Sequence, residues 1–91
     1  MLYRLIYSET SHNQIRRLHP DLKAVVRVRI KRLVRNPYMG KALERELSGY
    51  FSLKTKRFRV IYMVKDTDQA VEIHYVGHRK DIYQLVREQA K

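Results

Sequence analysis

Apolar positions along the chain change their spacing twice, and those changes mark its elements. Leu2-Tyr3-Arg4-Leu5-Ile6-Tyr7 is dense in strand formers and reads as a strand with Tyr3, Leu5 and Tyr7 on one face. Ser8 then suits a helix N-cap, with Glu9 near the positive end of a short helix that carries Ile15 and Leu18. His19-Pro20 breaks that helix, because the residue before a proline avoids the helical region. Pro20 itself fits the first turn of a new helix. From there Leu22, Val25, Val26, Ile30, Leu33 and Val34 recur at three- and four-residue spacings, an amphipathic stripe with Arg27, Lys31 and Arg35 on its far side. Asn36-Pro37 ends this second helix.

Residues 37–49 read as a long connection containing Gly40 and Gly49, with one helical turn over 42–47. From Tyr50 the period falls to two. Phe51, Leu53, Phe58, Val60, Tyr62 and Val64 alternate with polar or smaller neighbours, and Lys54 to Arg57 supplies the turn between two strands. Asp66-Thr67-Asp68-Gln69 forms a second turn, and Val71, Ile73 and Tyr75 begin a third strand of this region. Residues 82–91 fit either a short C-terminal helix or an ordered tail. The predicted order is β-α-α-β-β-β, an α+β fold in which a small antiparallel-rich sheet carries both N-terminal helices on one face.

Ninety-one residues with 44% apolar content suit one domain spanning residues 1–91, with a thin core and no deep enclosed pocket. Charge changes the picture more than size does. Twenty Lys and Arg against nine Asp and Glu give a formal charge of +11, which argues against an ordinary neutral metabolic enzyme. Acids are missing between Asp21 and Glu44, where Lys23, Arg27, Arg29, Lys31, Arg32, Arg35 and Lys41 accumulate. They are missing again between Glu46 and Asp66, where Lys54, Lys56, Arg57, Arg59 and Lys65 fall. Self-repulsion on that scale favours a polyanionic partner, nucleic acid or an acidic protein. The absence of cysteine excludes thiolate zinc sites, a cysteine nucleophile and disulfide staples, and a reducing cytoplasm is expected. The longest unbroken apolar run, Val60 to Val64, is far too short to span a membrane, and Arg4 interrupts any signal-peptide core.

No phosphate-binding loop, HExxH or GxSxG pattern occurs, and His74 and His78 lack further ligands at zinc spacing. What remains is a set of cations with tyrosine and one histidine. If the third strand pairs antiparallel to the second, Gly77 lies level with Arg57 to Arg59. The block Gly77-His78-Arg79-Lys80-Asp81-Ile82-Tyr83 then converges on Lys54, Lys56 and Arg57. Converging arginines suit a phosphate whose charge grows in a transition state, and Tyr83 or Tyr50 is suited to stacking on a base. Tyr62 and Tyr75 read as core, and Asp81 as a helix cap or a partner for Arg79.

These blocks resemble the RelE/ParE superfamily of toxins from bacterial and archaeal toxin–antitoxin pairs. The resemblance covers nearly the whole chain, from Tyr7-Ser8 and Asn36-Pro37 through Gly40-Lys41-Ala42-Leu43 and Leu47-Ser48-Gly49-Tyr50. It continues to Phe58-Arg59-Val60-Ile61-Tyr62 and the Gly77–Tyr83 block, which is more similar to RelE-type ribonucleases than to ParE-type gyrase poisons. It implies a RelE-like fold and a cytoplasmic toxin that cuts mRNA in the ribosomal A site without metal or cofactor. The ribose 2′-OH attacks the adjacent phosphate to leave a 2′,3′-cyclic phosphate. By position, Arg59 and Arg79 match the phosphate-stabilising arginines and Tyr83 the late tyrosine that stacks on or orients the substrate. Where the well-studied ribonuclease has a lysine pair, this chain reads Phe51 and Ser52, and the general base falls to His78, whose neutral imidazole can take a proton from a hydroxyl. Lys54, Lys56, Arg57 and Lys80 are assigned to RNA phosphate, and Lys23, Arg27, Lys31 and Arg35 to the 70S ribosome. The expected partners are a small cognate antitoxin, acidic or partly disordered, together with mRNA and ribosomal RNA; no membrane partner is expected. The alternatives are a gyrase-inhibiting toxin of the same fold and an inactive basic nucleic-acid-binding homologue.

Overall fold

The structure is a computed structural model and describes residues 2–90, so Lys91, the end of the predicted C-terminal segment, lies outside the described residues. Its elements are β1 (Arg4–Tyr7), α1 (Glu9–Arg16), α2 (Pro20–Arg32), β2 (Lys41–Ala42), a 3-10 turn (Arg45–Leu47), β3 (Phe51–Thr55), β4 (Phe58–Lys65), β5 (Ala70–His78) and α3 (Arg79–Ala90). The strands form one sheet in the order β1-β5-β4-β3-β2. β1 lies parallel to β5, and the remaining neighbours are antiparallel. The α+β class and the antiparallel-rich sheet stand as expected. The sheet has one strand more than expected, because the 37–49 connection adds the two-residue β2 against Ser52 and Phe51.

Both N-terminal helices start where the sequence places them. The Ser8 hydroxyl accepts the Ser11 amide at 3.0 Å, and His19 Nδ1 accepts the Asp21 amide at 3.2 Å ahead of Pro20. These bonds satisfy amides that have no partner within the helix. α2 stops at Arg32 rather than at Asn36-Pro37, and residues 33–35 form a turn. Arg35 therefore lies outside the helix. Val26, Ile30 and Leu33 are fully buried, whereas Val28 is 56% exposed. Arg27 and Lys31 consequently flank the buried stripe rather than opposing it, and Ala24 and Val28 occupy the outward face.

Each face of the sheet carries its own core. Phe51, Leu53, Phe58, Val60, Tyr62, Val71, Ile73 and Val76 pack with Ile15, Val26, Ile30 and Leu33 beneath α1 and α2. Ile61 and Tyr75 point the other way, onto Leu47, Ile82, Tyr83 and Val86. Of the two alternatives for residues 82–91 the structure shows the helix, which begins earlier, at Arg79, and sits on the face opposite the first two. Alternation alone would put Ile73 and Tyr75 on one face. The register shifts there: Ile61 pairs with Tyr75 but Tyr62 with Ile73, leaving His74 as the extra residue of a bulge. A bulge reverses the side-chain parity of the strand beyond it.

Beyond the end of β1, α1 takes over the exposed edge of β5. Ser8 N–H and the Ser11 hydroxyl both donate to the Ile73 carbonyl, Ser8 Oγ donates to that of His74, and Gln14 Oε1 accepts the Val76 amide at 2.6 Å. At the far side Tyr62 anchors the 37–49 connection. Its hydroxyl donates to the Pro37 carbonyl at 2.8 Å and accepts the Gly40 amide at 3.0 Å, while its ring stacks on Phe51. Gly40 is required by this approach, since an added Cβ would lie 2.5 Å from the Tyr62 hydroxyl and 2.9 Å from the Ser52 carbonyl.

Asp66, in the β4–β5 turn, accepts hydrogen bonds from the Tyr3 and Tyr38 hydroxyls. The Tyr38 bond, then that of Tyr3, holds the Asp66 carboxyl below its ordinary value, and the same carboxylate pushes Tyr38 up to about 12. The Asp66 contribution to stability is therefore present above the ordinary carboxylate range and is lost as pH falls through the lowered value. The Tyr38 contribution is full below its ordinary value of 10.0 and disappears as pH rises through about 12. In a phenolate absorbance titration Tyr38 should ionise late, at about 12, and Asp66→Asn should move it back towards the ordinary range. Tyr62→Phe, which leaves the buried Pro37 carbonyl and Gly40 amide unpaired, should lower unfolding stability by about 1–3 kcal/mol in urea titrations.

Candidate nucleic-acid interface

The register of three strands assembles the site. Lys54 stands opposite Arg59, Arg59 opposite Gly77, and Phe58 opposite His78. β5 passes into α3 with no intervening loop, so Arg79 and Lys80 begin the helix directly beside the β3–β4 turn. The Arg79 amide donates to the Arg57 carbonyl at 2.8 Å and ties the two segments together. Between them lies an open cleft of about 480 Å³, lined by Lys54, Lys56, Arg57, His78, Arg79 and Lys80. The lining contains no acid. The first two amides of α3 are already bonded there, that of Arg79 to the Arg57 carbonyl and that of Lys80 to His78 Nδ1.

Gly77 eases this junction. An added Cβ there would come within 2.8 Å of Ile82 Cδ1, so the missing side chain gives the tip of Ile82 room against β5. Lys56 holds the hairpin in the left-handed region at φ 55°, which is unusual for a residue with a Cβ. Arg29 of α2 reaches across to donate to the Lys54 carbonyl at 3.1 Å and steadies the end of β3.

The four predicted catalytic residues are divided by the sheet. Arg59 lies between Phe58 and Val60, which face α1 and α2, so it projects to the α3 side with Ile61. Tyr83 is on that side too, its hydroxyl 2.8 Å from the buried Ser52 hydroxyl. His78 is on the other side of the strand end, its ring edge-on to Phe58 with centroids 5.7 Å apart. Its Nδ1 accepts the Lys80 amide at 3.3 Å. Arg79 sits exposed at the junction between the two sides. The predicted phosphate contacts Lys54, Lys56, Arg57 and Lys80 all line the cleft, whereas Arg59 and Tyr83 do not. Of the predicted ribosome contacts, Arg27 and Lys31 line a separate cleft with Leu5, Tyr7, His12 and Ile15. Lys23 is half-buried on α2, and Arg35 is exposed past its end.

Two participants escaped the sequence reading. Ser52 looked like a gap in a lysine pair; its small polar side chain at an α3-facing position is the signal for a tyrosine partner across the face. Arg29 was one cation among many, and nothing in its spacing marks the bond to Lys54. Among the described residues, no group of three or more His, Cys, Asp or Glu side chains is placed to hold a metal ion.

A family model described as the ParE toxin of the type II toxin–antitoxin system, parDE, matches residues 3–83. The chain is also 38% identical over 85 residues to Toxin RelG of Mycobacterium tuberculosis, covering 91% of this chain and 98% of that protein. It belongs to the RelE/ParE superfamily of type II toxins. Toxin RelE of the same organism is 28% identical over 85 residues, with 91% of this chain and 88% of that protein covered. Among solved structures, the toxin–antitoxin complex RelBE2 of M. tuberculosis matches with a TM-score of 0.79 at 33% identity, covering 87% of this chain and all of that one. The free E. coli toxin RelE mutant matches in fold, with a TM-score of 0.80 at 18% identity and 98% of each chain covered. The family accounts for a cognate antitoxin as partner of this toxin.

Gly77→Ala should push the buried tip of Ile82 aside with α3 still on the sheet, costing about 1 kcal/mol by overpacking, read as a slightly lowered urea midpoint. Shortening the opposing side chain with Ile82→Val in the same chain should recover part of that loss. Unchanged stability of Gly77→Ala would mean that Ile82 does not hold the helix at this point.

Proposed function

We propose that the protein is a ribosome-dependent mRNA endoribonuclease toxin. The observation that carries this reading is the cleft at the end of β5, where six side chains of cationic or imidazole type converge and no carboxylate enters the lining. Such a cleft suits an RNA phosphate, and a RelE-type toxin would bring its substrate there. Arg79 and Arg59 approach the phosphate from the junction and from the α3 face, and stabilise the charge that grows as the 2′-OH attacks. Lys54, Lys56, Arg57 and Lys80 hold the flanking backbone. Tyr83, fixed by Ser52, presents its ring to a base or orients the substrate.

His78 acts as base from one tautomer only. While Nδ1 accepts the Lys80 amide, the neutral ring carries its proton on Nε2 and cannot accept another there. Base action at Nε2 requires the proton to move to Nδ1 and the long 3.3 Å bond to open. The leaving 5′ oxygen takes its proton from a group that the residues at the cleft do not single out. Lys23, Arg27, Lys31 and Arg35 supply attraction to ribosomal RNA phosphates and give binding a steep salt dependence. The protein is cytoplasmic in this reading, needs no metal or cofactor, and is neutralised by an antitoxin that offsets its charge.

The description of the matching family as ParE toxins favours a second reading, inhibition of gyrase, and the same experiment separates the two. After induction in cells, new mRNA 5′ ends phased with codons are expected; DNA breaks without mRNA cuts would support the gyrase reading instead. With purified ribosomes, Arg59→Ala and Arg79→Ala should slow single-turnover cleavage by about 10²–10³-fold each. His78→Ala should slow it by about 10²-fold with ribosome binding retained. Cleavage at the wild-type rate in His78→Ala would remove the histidine from the mechanism.

A further inference from the structure

The cleft between β1, α1 and α2 has no role in the chemistry just described, yet it has the composition of a ligand site. It measures about 300 Å³ and draws on three elements: Leu5 and Tyr7 from β1, His12 and Ile15 from α1, and Arg27 and Lys31 from α2. Ile15 and Leu5 make an apolar floor, with Ile15 only 3% exposed. Tyr7 and His12 provide two rings open to solvent, Tyr7 being 40% exposed. Arg27 and Lys31 are one helical turn apart, a like-charge spacing that works against the helix unless something anionic lies between them. Neither of them, nor His12, makes a side-chain hydrogen bond or ion pair among the described residues. Burial raises the Tyr7 phenol while the Arg27 charge pulls it down, which places the guanidinium close to that ring.

We propose that, beyond the general attraction to ribosomal phosphates in which Arg27 and Lys31 share, this cleft is a second RNA contact that takes one unstacked nucleotide, with its phosphate on Arg27 and Lys31 and its base against Tyr7 and His12. Paired cations beside aromatic faces over an apolar floor are the elements with which single-stranded RNA is held. An acidic peptide would use the cations and leave both rings without a planar partner. The position fits one continuous strand. β1 ends with Tyr7 level with Ile73, and His78 lies five residues further along β5, so the two clefts are separated along the sheet by on the order of 17 Å. That span corresponds to a few nucleotides. The inference rests on the reading of this toxin as one that acts on RNA, but not on its cutting RNA.

The test uses the full chain and a short single-stranded RNA with 2′-O-methyl riboses, which cannot be cleaved by 2′-OH attack. Binding is followed by fluorescence anisotropy across a salt series, with polyglutamate as the competing acidic probe and circular dichroism as the check on folding. Tyr7→Leu should weaken RNA binding by roughly 5- to 100-fold with the salt slope unchanged. Arg27→Gln with Lys31→Gln should weaken it and lower the salt slope by roughly one for each cation removed. Should Tyr7→Leu fail to fold, His12→Ala, whose side chain is exposed, carries the same test. Wild-type RNA affinity in these folded variants overturns the inference alone, and loss of polyglutamate binding with RNA binding intact reassigns the cleft to an acidic protein segment. No RNA binding by the wild-type chain overturns both this inference and the functional reading beneath it.

Discussion

The bond from the Arg79 amide to the Arg57 carbonyl, made where β5 runs straight into α3, is the interaction on which the site end of the molecule depends. Gly77 eases the crossing, because the strand offers bare backbone to the tip of Ile82 there. The Arg79 bond holds the β3–β4 hairpin against the first turn of α3. Like charges then stand together at the end of the sheet. They repel, and the energy that holds them comes from elsewhere, from Ile61, Ile82 and Val86 on one face and Val60 and Val76 on the other.

The bulge at His74 is the second device that makes this work. Without it, Val71, Ile73 and Tyr75 would all face α1 and α2, and α3 would have no aromatic residue of β5 to cover. With it, β5 serves one core over its first half and both cores over its second. The edge of β5 beyond Tyr7 would then be open to another strand, and α1 closes it: Ser8, Ser11 and Gln14 occupy the hydrogen-bonding groups of residues 73–76. The same arrangement brings α1 against β1 and α2, which is where the second cleft forms.

The alternations at Phe51–Leu53 and Phe58–Val64, the cap at Ser8, the first-turn proline at Pro20 and the pairing of Gly77 with Arg59 were legible because each is a local rule or follows directly from one. The face chosen by α3 was not, since it depends on a bulge, and a bulge leaves no mark in a strand whose residues are all compatible with either face. β2 escaped for a similar reason: two residues, Lys41 and Ala42, are too few to show a period. The end of α2 was placed too late because Leu33 and Val34 continue the apolar spacing, although the chain has already turned at Leu33 to deliver Pro37 to Tyr62. At the site, the sequence brings the cations to one end of the sheet correctly but says nothing of which side each takes. That is how His78 came to be grouped with Arg59, when Phe58 draws its ring to the opposite face.

Charge compensation shows why that division matters. Among the described residues, the one carboxylate paired with a lysine or arginine is Glu46, held by Arg87 at 2.9 Å on the α3 side. Glu72 lies against His74, Asp21 against His19, and Asp66 is occupied by two tyrosines. Four of the nine acids are thus held by framework groups, and the cations lining the two clefts have no carboxylate partner among the described residues. A protein with mixed surface pairs would lose little by having them screened, but here screening by salt and neutralisation by a partner act on the same unpaired charge. In the proposed function, an antitoxin and an RNA would therefore compete for the same charge even where they touch different residues. The affinity of either depends on how much of the +11 charge the other has already neutralised.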